Sequence, residues 1–150
     1  MYDWLMFLHV LVAMVWVGSL VALGIFAAHA LRVGEGDAVV RFVGGLRIVG
    51  PFVLGPASLL VLVFGILMVV DSDAWTFEQT WVWLGIALIV AAYVAGAVLL
   101  GRSGTAAQRA VEAGDHVQAA RHLRRWSLGV WLILLLLVVA TWDMVFKPGV

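Results

Sequence analysis

Cysteine is absent from all 150 residues. That excludes disulfides, thiolate metal sites, cysteine-ligated clusters and thiol nucleophiles. Charge is also scarce: 12% of residues are charged and 65% are hydrophobic, with a mean hydropathy of +1.11. A soluble domain carries about 25% charged and 45–50% apolar residues. No water-soluble core in so short a chain hides that much apolar surface, so the solvent is a bilayer. Nine basic and nine acidic residues cancel. Net charge therefore argues neither for nor against nucleic acid, and none is expected as a partner; the lipid bilayer is.

Charge is missing in blocks. No Asp, Glu, Lys or Arg lies between Asp3 and Arg32, Arg47 and Asp71, Glu78 and Arg102, or Arg125 and Asp143. Crossing the hydrocarbon core takes roughly 20 apolar residues as a helix. Lipid admits only helices or closed barrels, and these runs are too long for strands. The expected fold is all-α: one domain over 1–150, an integral membrane four-helix bundle with spans near 4–29, 50–70, 80–100 and 126–146. Pro51 and Pro56 then fall in the first turns of span two, where proline is tolerated. Span one is too long, and its leading residues too acidic, for a cleaved signal peptide, so it is expected to persist.

Eight of the nine basic residues lie between spans one and two (Arg32, Arg41, Arg47) or three and four (Arg102, Arg109, Arg121, Arg124, Arg125). The remaining loop holds Asp71, Asp73 and Glu78 and no base. By the positive-inside rule both termini and the acidic loop face outward in a multi-pass protein of the cell's inner (plasma) membrane. Reporter fusions after residue 75 are expected to label from outside and fusions after residue 110 from the cytoplasm; the opposite pattern would invert the orientation. Trp4, Trp75, Trp81, Trp83 and Trp142 gather near the outer boundary, where indoles prefer to sit. Asp115 is placed to cap a helix running into span four. Arg121, Arg124 and Arg125 at the inner edge suit anionic headgroups, and they offer a docking site for a membrane or cytoplasmic protein partner.

Small residues mark packing faces in membrane helices. Ala87, Ala91 and Ala95 repeat every four residues in span three, beside Ala92 and Gly96, and Gly18 with Ala22 does the same in span one. Leu at Ala91 is accordingly expected to loosen the bundle, and the mid-span Tyr93 hydroxyl to find a partner inside it.

Only His9 is ionisable within the apolar part of a span, and polar groups at such depth mark sites. Trp16 lies two turns along the same face, with Ala13 between them leaving room for a flat group. Imidazole ligates haem iron, copper or zinc, and equally bonds a neighbouring helix with no ligand at all. Met6 sits one turn outward of His9, and Met68 and Met144 fall near the outer ends of spans two and four. Thioethers with imidazole suit Cu(I) or haem iron, though methionine is also an ordinary core filler. Asp143 and Lys147 are spaced to pair along one helix face. His29, His116 and His122 lie at or beyond the inner boundary and are read as solvated.

The opening MYDWLMFLHVLVAMVWVGSL and the ending RRW…MVFKPG resemble a large bacterial family of predicted integral membrane proteins of unknown function. That family resembles in turn the HemJ-type protoporphyrinogen oxidases and the membrane domain of CopD-type copper-resistance proteins. The tokens are His9, Trp16, Gly18, Lys147 and Pro148. The HemJ likeness implies haem b held by His9, with Lys147 functionally important before a terminal proline. The HemJ run Tyr-Leu-Pro-Arg is replaced here by SLVALGIF, which removes an arginine partner for porphyrin propionates. The expected function is haem b or porphyrin binding through His9, with Trp16 and Lys147, in haem metabolism or membrane redox chemistry. The alternatives are copper handling by His9, Met6, Met68 and Met144, or a structural subunit without ligand.

Overall fold

A computed structural model describes residues 1–33 and 36–149. Among these residues four helices are long and apolar enough to cross a membrane: α1 (Tyr2–Val33), α2 (Gly36–Val70), α3 (Thr80–Glu112) and α4 (His116–Phe146). No strand occurs among the described residues. The all-α architecture expected from the charge gaps is present.

The helices overrun the apolar spans at their basic ends. α2 starts at Gly36, so Pro51 and Pro56 sit in its interior rather than in its first turns. Reading the last charge, Arg47, as a helix boundary was the error: Arg41 and Arg47 stay exposed while Val39, Val43 and Leu46 are buried, and the helix continues through them. Proline lacks the N–H of the normal ladder and clashes with the carbonyl four residues back. The chain accommodates this with a π-helical turn over Gly50–Leu54, closed by the Gly55 N–H donating to the Gly50 carbonyl. α3 carries a second π turn at Gly96–Leu100. Between α3 and α4, the Asp115 carboxylate accepts from the Gln118 N–H at 2.9 Å, the expected cap.

α4 is the spine. Ala119, Leu123, Trp126, Val130, Ile133, Leu137 and Ala140 recur at helical spacing, all buried. α1 and α3 pack on it, α2 packs on α1, and α2 meets α3 only sparingly. Large apolar side chains such as Phe26, Phe52, Leu135 and Val138 point outward, as lipid requires. One bundle end collects Asp3, the 71–79 loop and Lys147, with the Met1 amino group 3.8 Å from Asp71; the other collects the arginines. We call them the acidic and basic ends.

The small-residue faces are only partly those the spacing implied: Ala92 is buried and Ala95 and Gly96 are half-buried. Ala87 and Ala91 are exposed; the buried ridge of α3 is Val82, Gly85, Ile89 and Ala92. On α1, Gly18 and Ala22 are exposed and Gly24, Ala27 and Ala30 are packed. A four-residue repeat identifies a stripe, but small residues also tile lipid-facing surface. Ala92→Leu is therefore expected to cost about 1–3 kcal/mol of stability by overpacking, and Ala91→Leu nothing measurable. Paired thermal melts in detergent check this; equal loss in both variants would refute the assigned face.

Candidate functional site

A cavity of about 430 Å³ opens at the acidic end, within the roughly 300–1,000 Å³ of small-molecule sites. His9 and Met6 of α1, Met68 of α2, Met144 of α4, Lys147, and Trp75 with Trp81 line it, over apolar walls that include Val61, Leu62, Ile86 and Ile89. Four residues singled out in sequence from three separate helices, and Lys147 just past the end of α4, therefore share one space.

Glycines make the room. A side-chain carbon on Gly65 would lie 3.3 Å from the His9 ring, so α2 can carry nothing larger there without moving the imidazole. A side-chain carbon on Gly85 would lie 3.2 Å from Asp143 Oδ2. Gly85 lines the cavity, so Asp143 stands directly behind its wall.

Asp143 is 0% exposed, and neither carboxylate oxygen has a hydrogen-bond partner. Among the described residues, the only other buried side-chain polar atoms lacking one are His9 Nδ1 and Trp81 Nε1. His9 and Trp81 line this cavity, and Asp143 lies behind its wall at Gly85. An unsatisfied buried group costs roughly 1–3 kcal/mol, more when charged, and native chains leave few of them. All three lie toward the acidic end of the bundle.

The expected Asp143–Lys147 pair does not form. Lys147 takes a left-handed conformation (φ 46°), with its N–H donating to the Asp143 carbonyl at 2.8 Å. That turn carries its side chain off the helix line, which ends the i,i+4 register. The ammonium instead lies 3.7 Å over the Trp75 ring and 5.6 Å from that of Trp81. The two indoles meet edge to face at 5.3 Å. The loop sets Trp75 in place: the Ser72 hydroxyl accepts from the Ala74 and Trp75 N–H groups, and Gln79 accepts from the Thr76 N–H through its side chain.

Trp16 does not belong to this site. Seven residues along α1 is about 10 Å of helix, enough to take it past the cavity floor to a second cavity nearer the basic end, which it lines with Leu20. Tyr93, expected to bond within the bundle, lines that second cavity and is 43% exposed. No group of three or more His, Asp or Glu stands ready for a metal among the described residues. A metal at the acidic end would rest on His9 and thioethers.

The sequence reading places Asp143 at the end of span four and does not identify it as a buried group. Its helical phase gave the signal: Ile133, Leu137 and Ala140 are buried, and the next position of that stripe is 143. Gly65, Gly85 and the Trp81 N–H had no comparable signal, since their roles depend on which helices face each other.

Four lipid-facing helices long and apolar enough to cross a bilayer, around a partly polar cavity, define a multi-pass integral membrane protein. The chain belongs to the DUF2269 family, described as a predicted integral membrane protein, whose model matches residues 3–148. No curated protein and no solved structure matches the chain.

Proposed function

We propose that the protein binds haem b or a related porphyrin in the acidic-end cavity, with His9 as the axial ligand, in the outer half of a bacterial inner membrane. The observation supporting this reading is the grouping of His9, the Trp81 N–H and the Lys147 ammonium around one largely apolar cavity of about 430 Å³. The imidazole supplies a bond to iron. The indole N–H and the ammonium supply donors for a propionate, the role vacated by the missing HemJ-type arginine. Met6, Met68 and Met144 would offer thioethers to the iron. Bound haem would supply one-electron redox chemistry at this boundary. The chain's own residues hold it, screen it from lipid and fix its orientation. The likeness to HemJ-type and CopD-type proteins rests on the few residues named above, with Trp16 now outside the site.

A second reading is favoured by the three methionines around one imidazole: Cu(I) held by His9 with Met6, Met68 and Met144. Trp75 and Trp81 report on both. Titration of detergent-purified protein with haem should quench their fluorescence saturably, at one haem per chain, and Cu(I) should not compete. Saturable quenching by Cu(I) alone would give the site to copper. Quenching by neither would leave the structural-subunit reading.

A further inference from the structure

The second cavity, about 400 Å³, lies toward the basic end between α2 and α3. Trp16 and Leu20 of α1 and Ile133 of α4 form its apolar back wall, and Arg47 and Gln108 lie at its basic-end rim. An engineered cavity of roughly 150 Å³ already holds a benzene, so this space is large enough to matter. We propose that it binds one anionic phospholipid of the cytoplasmic leaflet, its phosphate at Arg47 and an acyl chain along the α2–α3 seam.

Both π turns face this cavity, and each is bounded by glycines: Gly50-Pro-Phe-Val-Leu-Gly55 on α2 and Gly96-Ala-Val-Leu-Leu-Gly101 on α3. Proline accounts for the first turn. Nothing in the second requires one, and isolated π turns occur frequently at functional sites. Glycine inside a helix costs about 1 kcal/mol, and it is repaid in this bundle where helices touch, as at Gly24 against Val130. At Gly50 and Gly101 a side-chain carbon would meet nothing within 4 Å. Both glycines line the cavity and neither is buried.

The occupant's chemistry follows from the lining. A hydrocarbon back wall calls for an apolar tail, and the cavity lies where α2 and α3 pack less closely than α1 with α2 or α3 with α4. The rim carries one cation, Arg47, on the arginine-bearing side that the positive-inside rule assigns to the cytoplasm, where anionic lipids attract basic groups. Its one ionic contact among the described residues, to Glu112 at 3.8 Å, is exposed on both sides and so weak.

Native mass spectrometry of detergent-purified protein, offered equal phosphatidylglycerol and phosphatidylcholine, tests the proposal. The wild type should retain one phosphatidylglycerol in preference to phosphatidylcholine. Arg47→Gln should cut that preference about fivefold, the value of one arginine near an anionic surface. Gly101→Leu, which fills space without a clash, should abolish retention while the thermal midpoint without lipid holds. Equal retention of the two lipids, or wild-type retention by Gly101→Leu, would overturn the proposal. So would displacement of the lipid by millimolar inorganic phosphate, which would leave a phosphate site only. Haem titration should be unchanged in both variants, so this proposal and the acidic-end reading stand or fall separately.

Discussion

His9→Ala is expected to remove the Soret band of haem-loaded protein completely, while helix content and thermal midpoint stay near wild type. Among the described residues His9 is the only histidine lining the cavity, and no methionine replaces it as the principal bond to iron. Its loss leaves a small void beside a space that is already open, so the packing penalty of a filled core does not apply. His29→Ala should change nothing, because that ring is exposed toward the basic end. Lys147→Ala should weaken binding without abolishing it, since the ammonium contributes a charge and not the metal bond. Gly65→Leu offers a control that leaves the ligand chemically intact: it should displace the imidazole from α2 and reduce haem occupancy although His9 is present. Absorption spectra of these variants beside the wild type, made with ample haem, provide the comparison. Full occupancy in His9→Ala would remove the axial assignment.

The second large effect runs toward greater stability. Asp143→Leu is expected to stabilise the ligand-free protein by about 1–3 kcal/mol, the cost of leaving a buried polar group unmet. A carboxylate with no partner inside a bundle contributes nothing to the fold that a similarly sized apolar side chain would not improve upon. Asp143→Asn should gain less, because the amide keeps unmet polar atoms. Residues that burden the fold persist where function uses them. Asp143 lies behind Gly85 with no exposed surface, so the gain should be of similar size with and without ligand. Thermal melts with and without haem measure both quantities. Destabilisation of the ligand-free protein by Leu would show that Asp143 has a structural partner.

Much of this architecture was legible in the sequence, for a definable reason. Charge-free runs report the bilayer directly, because lipid penalises every buried charge; all four spans follow from them. Caps are similarly local, and Asp115 acts as its chemistry indicates. What stayed hidden depends on which helix faces which. Ala91 and Ala92 are adjacent small residues with opposite fates, one exposed to lipid and one fully buried. Helical periodicity aligned Trp16 with His9 on one face, but α2 and α3 divide the interior into two cavities and place the two side chains in different ones. Lys147 was expected beside Asp143 because a helix was assumed to continue; one left-handed residue moved it onto Trp75. The π turns were invisible because Pro51 was assigned to a helix start. His9 and the three methionines, by contrast, were placed at one level by counting turns from the membrane boundary, and they line one cavity.

The absorption spectrum of wild-type protein, purified in detergent from haem-sufficient cells and read beside its metal content, tests the central claim most directly. A Soret band with about one iron per chain and no copper is the predicted result. A colourless protein that takes up no haem on addition, whether or not it carries copper, would contradict it.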